Sequence, residues 1–268
     1  MPFALGPRAK SAGYRLAAYD SIGSTNAEAL LRARAGERSP MWFVTSDQTA
    51  GRGRRHRAWI APRGNLACSV LEALDTSPAI ATTLGFAAGL ALEAALRKAS
   101  HEALARAGGY GDLAFSLKWP NDLLAGHKKL AGILLEAEAM ADGRLAVVVG
   151  IGTNVVGAPE GTPTPATSLK ALGVDIGAQE LFATLSDSWA EFRSLWGQGF
   201  GDIRRLWLER AAGLGAAVAV QTGGSTVAGT FDTIDEAGSM IVRTASGDRV
   251  AVTAGDVYFG SAASVGAA

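Results

Sequence analysis

The stretch from Lys118 to Glu136 reads KWPNDLLAGHKKLAGILLE and contains two apolar segments with polar side chains around them. Pro120 lacks the N–H that a strand ladder needs, so it ends the strand predicted for Phe115 to Lys118 just before Asn121 and Asp122. The later run KKLAGILLE predicts another strand. The ammonium, amide and carboxylate groups of this stretch are therefore expected at adjacent strand ends.

These polar groups suit a nucleotide. Lysine ammoniums can neutralise a carboxylate and an α-phosphate as the two anions approach each other. Asp122 can hold Mg²⁺ or receive the proton of an attacking amine. A surface pair of lysine and aspartate after an edge strand is the alternative for either half of the stretch taken alone.

The segment Gly51 to Arg57, GRGRRHR, places four arginines within six positions and is followed by Trp59. Mutual repulsion and two glycines predict a mobile loop, whereas bidentate guanidinium donors would order it on a phosphate or carboxylate. We call this segment, Gly51 to Trp59, the arginine loop. A solvated basic loop that touches nucleic acid is the alternative interpretation.

Two further polar groups have both a structural and a ligand-binding interpretation. Ser24, Thr25 and Asn26 can cap a helix, and their side chains can also bind a polar ligand group. Gln48, just before the arginine loop, has the same two interpretations. The sequence GIGTN that ends at Asn154 offers glycines for close backbone approach and one fixed amide.

Composition excludes several classes of protein. The 25 basic and 25 acidic side chains leave no net charge, which argues against a general nucleic-acid or membrane binder. The single cysteine, Cys68, excludes an internal disulfide and a cysteine zinc cluster, and it favours the cytoplasm. Neither a P-loop nor a dinucleotide-binding glycine motif is present, and we expect no signal peptide and no membrane span.

The remaining patterns predict a mixed β-sheet flanked by helices, then a small all-β unit. Strands are expected near Tyr14 to Tyr19, Met41 to Thr45, Asn65 to Glu72 and Leu145 to Ile151. Helices are expected over these segments: 27–35, 78–100, 179–196 and 202–212. Short alternating segments begin after Gly213, so the predicted domains are residues 1–212 and 213–268.

Six motifs, read in chain order, resemble the biotin protein ligase family. They are STN at Ser24, DQTAGRGRRHRAW at Asp47, PRGNL at Pro62, KWPNDLL at Lys118, KKLAGILLE at Lys128 and GIGTNV at Gly150. The motifs span about half of the chain, and their combination is highly specific. The resemblance implies an α+β fold of the class II synthetase-like kind with an SH3-like C-terminal β-barrel.

The resemblance also implies the reaction and the partners. Biotin and ATP, with Mg²⁺, would give biotinyl-5′-AMP and pyrophosphate, and a lysine of a biotin carboxyl carrier domain would then attack the adenylate. The carrier belongs to a biotin-dependent carboxylase such as acetyl-CoA carboxylase. A homodimer is left open, and neither nucleic acid nor a membrane is an expected partner.

Site roles are carried over by motif position. The residues implied to bind biotin are Ser24, Thr25, Asn26, Gln48, Gly51, Arg52, Gly53, Lys129 and Gly132. The residues implied to bind ATP are Arg54, Arg57, Trp59, Lys118, Asn121, Asp122 and Asn154. The residues implied to act in catalysis are Lys129, Arg54, Arg57 and Asp122. Lys129 would bridge the biotin carboxylate and the α-phosphate, and Mg²⁺ would accompany ATP, with a site near Asp122.

Two departures from the family pattern stand out. His56 occupies a loop position where the family usually has glycine, so a positive φ there would cost about 1–2 kcal/mol. Only 23 residues precede Ser24, too few for the DNA-binding domain of the family's repressors, so we expect a monofunctional ligase.

Two alternatives remain at this point. One is a lipoate or octanoate ligase of the same broad fold, although GRGRR favours biotin. The other is a non-enzymatic biotin sensor, which would bind biotin without releasing pyrophosphate. The phosphate-facing cations would have no role in a pure biotin binder.

Overall fold

A computed structural model of the chain describes residues 2–109, 111, 113–162 and 164–260. Its larger sheet has seven strands in the order β1-β2-β3-β7-β6-β5-β4. Their bounds are β1 (Arg15–Tyr19), β2 (Met41–Thr45), β3 (Leu66–Leu74), β4 (Phe115–Lys118), β5 (Asp122–Ala125), β6 (Lys128–Ala139) and β7 (Leu145–Thr153). β1 and β2 are parallel and the other pairs are antiparallel, which confirms the predicted mixed sheet.

Helices cover the two faces of this sheet unequally. Their bounds are α1 (Pro7–Ser11), α2 (Thr25–Arg34), α3 (Pro78–Thr82), α4 (Leu84–Arg106), α5 (Ala178–Trp196) and α6 (Phe200–Leu208). On one face the long helices α4 and α5 pack over a large core that includes Trp42, Val70 and Val149. On the other face the short helix α2 packs over Phe43 and Val148. Alternate residues of each strand therefore serve two cores, as the pleat requires.

The face beneath α2 is open beyond the N-terminus of that helix. Val148, Gly150 and Gly152 point to this face in turn along β7 because successive strand residues alternate sides. Gly132 pairs with Gly152 across the ladder. The missing side chains leave a hollow over β6 and β7, next to the first turn of α2.

The helical segment Pro78–Arg106 corrects one expectation. By length and composition it could cross a membrane, contrary to our reading that no segment is apolar enough. Its most apolar window is 72% buried inside the protein, and the partners are α5 and the sheet. A helix buried to this extent packs as a core helix of the larger sheet.

The smaller sheet has five antiparallel strands in the order β11-β10-β9-β8-β12. Their bounds are β8 (Ala217–Gln221), β9 (Thr226–Ile234), β10 (Met240–Arg243), β11 (Arg249–Val252) and β12 (Asp256–Phe259). This arrangement fits the predicted SH3-like unit, although no ladder joins the edge strands β11 and β12 among the described residues. The indole N–H of Trp119 donates to the carbonyl of Gly238 at 2.9 Å and ties this unit to the end of β4.

Two helix ends differ from the sequence prediction, one at a side-chain cap and the other where the backbone bonds a strand. α2 begins at Thr25, two residues earlier than predicted, because the Ser24 side chain caps it by accepting from Ala27 N–H. α6 stops at Leu208 instead of running on to 212. The backbone around Ala211 bonds the outer edge of β4, with Leu117 N–H donating to the Arg210 carbonyl at 2.8 Å.

Candidate active site

A cavity of about 290 Å³ lies over the open face of the larger sheet, between α2, the arginine loop and β12. Fifteen of the sixteen residues predicted for the site line it: Ser24, Thr25, Asn26, Gln48, Arg52, Gly53, Arg54, Arg57, Trp59, Lys118, Asn121, Asp122, Lys129, Gly132 and Asn154. The other is Gly51, which does not line the cavity. A Cβ at Gly51 would lie 2.5 Å from the Trp59 carbonyl oxygen, so this glycine allows the two ends of the arginine loop to meet.

The first turn of α2 and Gln48 form a neutral end of the cavity, whose side chains are hydrogen-bonded to one another. Gln48 Oε1 lies 2.9 Å from the Thr25 backbone nitrogen and 3.2 Å from the Thr25 hydroxyl. Ser69, buried in the middle of β3, lies 2.7 Å from that same hydroxyl. These bonds fix the positions of Thr25 and Gln48, and they do not depend on a ligand.

Asn26 is the centre of this neutral end. Its Oδ1 accepts from the Ser69 hydroxyl at 2.6 Å, and its Nδ2 donates to Glu136 Oε2 at 2.7 Å. A Cβ at Gly150 would lie 2.1 Å from Asn26 Oδ1, so the glycine is required for the amide to lie on the strand. The side chain of Asn26 is thus fully engaged within the protein.

Lys129 lies at the opposite, cationic end of the cavity. A β-bulge places Lys129 opposite Leu124, whereas Gly132 is opposite Asp122. Strict alternation would point Lys129 away from the face of Gly132, and the extra residue restores it to the cavity side. Its Nζ lies 2.6 Å from Asp122 Oδ1 and 5.6 Å from the ring centroid of Trp59.

Two other cations at this end have no carboxylate within ion-pair distance among the described residues, namely Lys118 and Arg54. Burial lowers the pKa of Lys118, with Lys129 adding to the effect and Asp122 opposing it. Burial likewise lowers the pKa of Arg54, whose Nη1 donates to Asn121 Oδ1 at 3.1 Å and to the Gly255 carbonyl at 3.4 Å. Poorly hydrated cations without a counter-ion favour an anionic ligand.

Carboxylates from both sheets hold the other arginines of the loop. Arg52 Nη2 lies 3.4 Å from Glu136 Oε2. Arg55 and Arg57 share Asp256 at the start of β12, at 2.9 and 2.8 Å. Arg52 and Arg57 each use one guanidinium nitrogen, Nη2, in these contacts, so their other nitrogens are the ones that could engage a ligand anion.

Backbone strain in the loop falls one residue before the position suspected from the sequence. Arg55 has φ 53° and ψ 36°. Among the described residues it is the one non-glycine residue whose φ is positive. The concern about His56 is therefore misplaced. The Gly53 N–H closes the turn by donating to the Arg57 carbonyl at 2.7 Å.

The indole of Trp59 lies directly on the sheet. Its Cε2 is 2.5 Å from where a Cβ of Gly152 would be, and its Cζ3 is 3.2 Å from the corresponding point at Gly132. Glycine at both positions is what allows the ring to lie there. Its Nε1–H is buried without a hydrogen-bond partner among the described residues.

Asn154 is a wall residue whose amide is used within the protein. Its Nδ2 donates to the Thr167 carbonyl at 3.0 Å, and the side chain is nearly inaccessible at 1% exposure. Asn65, from the PRGNL motif, receives the N–H groups of Val155 and Val156 at 2.9 Å each. Asn154 therefore orders the loop that follows β7, and this differs from the direct nucleotide contact expected of it.

Sequence reasoning assigned no role to three residues that complete this site: Ser69, Glu136 and Asp256. Glu136 was visible as the last letter of KKLAGILLE, and Ser69 as a hydroxyl in the apolar run LACSVLEAL. Asp256 had no local signal, because its arginine partners lie about two hundred residues earlier in the chain.

Comparison with known proteins agrees with the fold. The model of the biotin/lipoate A/B protein ligase family matches residues 20–154, and that of the biotin protein ligase C terminal domain matches residues 213–260. A biotin–[acetyl-CoA-carboxylase] ligase of Paracoccus denitrificans is 38% identical over 244 residues, which cover 88% of this chain and 97% of that protein. The enzyme of the same name from Mycobacterium tuberculosis is 35% identical, covering 88% of this chain and 85% of its own.

A solved structure extends the likeness to three dimensions. The biotin protein ligase of Aquifex aeolicus, in complex with biotin and ATP, superimposes with a TM-score of 0.73 at 25% identity, covering 92% of this chain and 99% of its own. The chain belongs to the biotin/lipoate A/B protein ligase family. Within the family its similarity is to the biotin protein ligases, as the six motifs had indicated.

Proposed function

We propose that this cavity joins biotin to ATP and then passes the biotinyl group to a carrier lysine. The carboxylate of biotin attacks the α-phosphate of ATP, so that biotinyl-5′-AMP forms and pyrophosphate leaves. The Nε of a lysine on a biotin carboxyl carrier domain then attacks the acyl carbon, an amide forms, and AMP leaves. The carrier is the domain of a biotin-dependent carboxylase of the acetyl-CoA carboxylase type.

The observation that carries this proposal is the polarity of the cavity. A neutral end of hydroxyl and amide groups suits the uncharged ureido ring, and Thr25 and Gln48 are the groups placed to meet it. The ring of Trp59, which lies on the bare backbone of Gly132 and Gly152, gives that side of the cavity an apolar wall that suits an apolar chain. The acid group of such a ligand then reaches Lys129 at the other end.

Charge at that end explains how two anions can meet. Bringing a carboxylate against a phosphate costs several kcal/mol unless cations are already in place. Lys129 bridges the two reacting groups in our proposal, after it leaves Asp122, and the half-buried cations Arg54 and Lys118 hold the phosphates. Arg57 joins them through the guanidinium nitrogens that Asp256 does not hold, since Asp256 contacts Nη2.

Asp122 has two roles in this scheme. Once Lys129 turns to the substrate, the carboxylate of Asp122 is free to accept the proton of the incoming amine. It is also suited to Mg²⁺, because that ion is usually held by one or two carboxylates together with the phosphates of the substrate. When bound, Mg²⁺ would neutralise charge on the triphosphate, with Asp122 and Asn121 as the nearby oxygen donors.

The remaining expectations stay part of this proposal. We divide the chain into a catalytic domain, residues 1–212, and an SH3-like domain, residues 213–268, and the separate sheets and family matches support that division. A cytoplasmic location agrees with the single cysteine, and a role without nucleic acid agrees with the zero net charge. A homodimer remains one option.

Biotin-dependent pyrophosphate release tests the proposal. The purified protein is given ATP, Mg²⁺ and biotin, and then a carrier domain that is probed with streptavidin. We expect release and labelling with biotin, and neither with lipoate or octanoate. Labelling with lipoate alone would identify the other branch of the family, and biotin binding without pyrophosphate release would identify a sensor.

A further inference from the structure

Glu136 connects two parts of the site that differ in rigidity. It lies on β6 opposite Val148, so its side chain emerges on the cavity face of the sheet, in line with Gly132. The same oxygen, Oε2, accepts from Asn26 Nδ2 at 2.7 Å and lies 3.4 Å from Arg52 Nη2. One carboxylate therefore joins the neutral end of the cavity to the arginine loop.

The two contacts differ in the mobility of the partner. Asn26 is 5% exposed and is held by Ser69 on its other side, so it fixes the carboxylate of Glu136 to the sheet. Arg52 belongs to the loop, and its side chain is 45% exposed. The carboxylate is thus a stationary acceptor on which the loop docks.

We infer that Glu136 is a positioning residue. Through its contact with Arg52, it fixes the first arm of the arginine loop, the segment around Arg52, in its closed position. The inference rests on the proposed function, because closure matters only if a ligand is enclosed. Asp256 holds the second arm through Arg55 and Arg57. The loop is then anchored at both ends by carboxylates from different sheets, and Glu136 is the anchor beside the biotin end.

The direction of the effect follows from where Glu136 lies. It touches the biotin end and the loop, and it is not among the groups placed at the reacting atoms. Loss of the contact should therefore weaken the retention of biotin more than it slows the chemical step. An exposed ion pair of this kind is worth a few-fold in affinity, about two- to fivefold.

Glu136→Gln is the test variant, and Glu138→Gln is its matched control. A glutamine at 136 can still accept from Asn26, but it carries no charge for Arg52. Glu138 lies on the same face of the same strand, and Arg34 of α2 donates to it at 2.8 Å, away from the cavity. We expect KM for biotin to rise about two- to fivefold in Glu136→Gln with kcat nearly unchanged, and no change in the control.

A second readout follows the loop without measuring activity. Trypsin cleaves after the loop arginines, and bound biotin should protect them. We expect Glu136→Gln to need more biotin for the same protection. Arg52→Gln should resemble it, the double variant should be no worse than either single variant, and added salt should reduce the difference from wild type because the pair is partly exposed.

Three results would overturn the inference while leaving the ligase proposal intact. The first is a Glu136→Gln enzyme that is as active as the Glu138→Gln control. The second is full additivity of Glu136→Gln and Arg52→Gln in the double variant. The third is a defective Glu136→Gln enzyme together with an unaffected Arg52→Gln enzyme. The last would mean that Glu136 acts through Asn26 alone. A wild-type protein that releases no pyrophosphate with biotin would instead defeat the proposed function.

Discussion

The two ends of the cavity are built on opposite principles. At the neutral end, Thr25, Asn26, Gln48 and Ser69 are held in place by hydrogen bonds within the protein. At the cationic end, Lys118 and Arg54 are half-buried without a carboxylate within ion-pair distance among the described residues, and Lys129 pairs with Asp122. Recognition of the neutral ring is therefore pre-organised, whereas the charged end is complete only when anions arrive.

Removal of Lys129 should have the largest effect, because it damages the cationic end of the cavity and spares the neutral end. Lys129→Ala deletes the cation between the carboxylate and the α-phosphate, so pyrophosphate release should fall about 10²–10³-fold. The neutral end keeps its bonds, so biotin binding should change far less, as measured by calorimetry. Lys128→Ala, one residue earlier and exposed, is the control. Full activity in Lys129→Ala would remove this residue from the chemistry.

Ser69→Ala should damage the neutral end instead. The change leaves Asn26 Oδ1 buried without its donor, which costs about 1–3 kcal/mol of folding stability, and it releases the Thr25 hydroxyl that Ser69 holds, so biotin affinity should fall by up to about tenfold. Ser100→Ala is a stringent control, since Ser100 is also buried but its hydroxyl has no partner among the described residues. Equal effects of the two changes on calorimetric affinity would contradict the role of Ser69.

Asp256→Asn tests whether the smaller sheet belongs to the cationic end. Arg55 and Arg57 would lose a shared anchor, so KM for ATP should rise about two- to fivefold. Asp232 is a close match, because it also pairs with two arginines, Arg243 and Arg249, and has the same 25% exposure. Asp232→Asn should leave KM for ATP unchanged, and a similar rise in both variants would indicate a general effect on that sheet.

The smallest effect concerns the pH dependence of the cationic end. Burial lowers the pKa of Lys118, so in the free enzyme it loses its proton at a lower pH than an ordinary lysine. Affinity for ATP should then decline as pH rises through that value, and kcat/KM for ATP reports the free enzyme. Lys118→Arg stays protonated and should move the alkaline decline to higher pH. An unchanged pH profile in Lys118→Arg would show that another group causes the alkaline decline.

The sequence predicted the groups on local motifs better than it predicted their partners. KWPND, KKLAG and the arginine loop meet at one cavity because each lies at a strand end or between strands, where glycine and proline mark the position. Ser69 was hidden within a buried strand, where a hydroxyl has no periodic signature. Asp256 pairs with Arg57 across 199 residues, and only the packing of two sheets brings them together.

The register of β6 shows a second limit. Strict alternation along KKLAG would direct Lys129 away from the face of Gly132, and a one-residue bulge reverses this. Apolar periodicity cannot reveal this bulge, because the extra residue, Leu130, and its neighbour Ala131 are both buried. The identity of the catalytic lysine therefore came from the motif, and its direction came from the structure.

The position of Trp59 gives the protein an optical property. Five of its six tryptophans are buried in the cores, whereas Trp59 is partly exposed on the arginine loop, with the Lys129 ammonium 5.6 Å from its ring. Indole emission depends on nearby charge and on access to water, so displacement of the loop changes the signal of one chromophore against five constant ones. Unlabelled protein mixed rapidly with ligand therefore reports loop motion in real time through its own fluorescence.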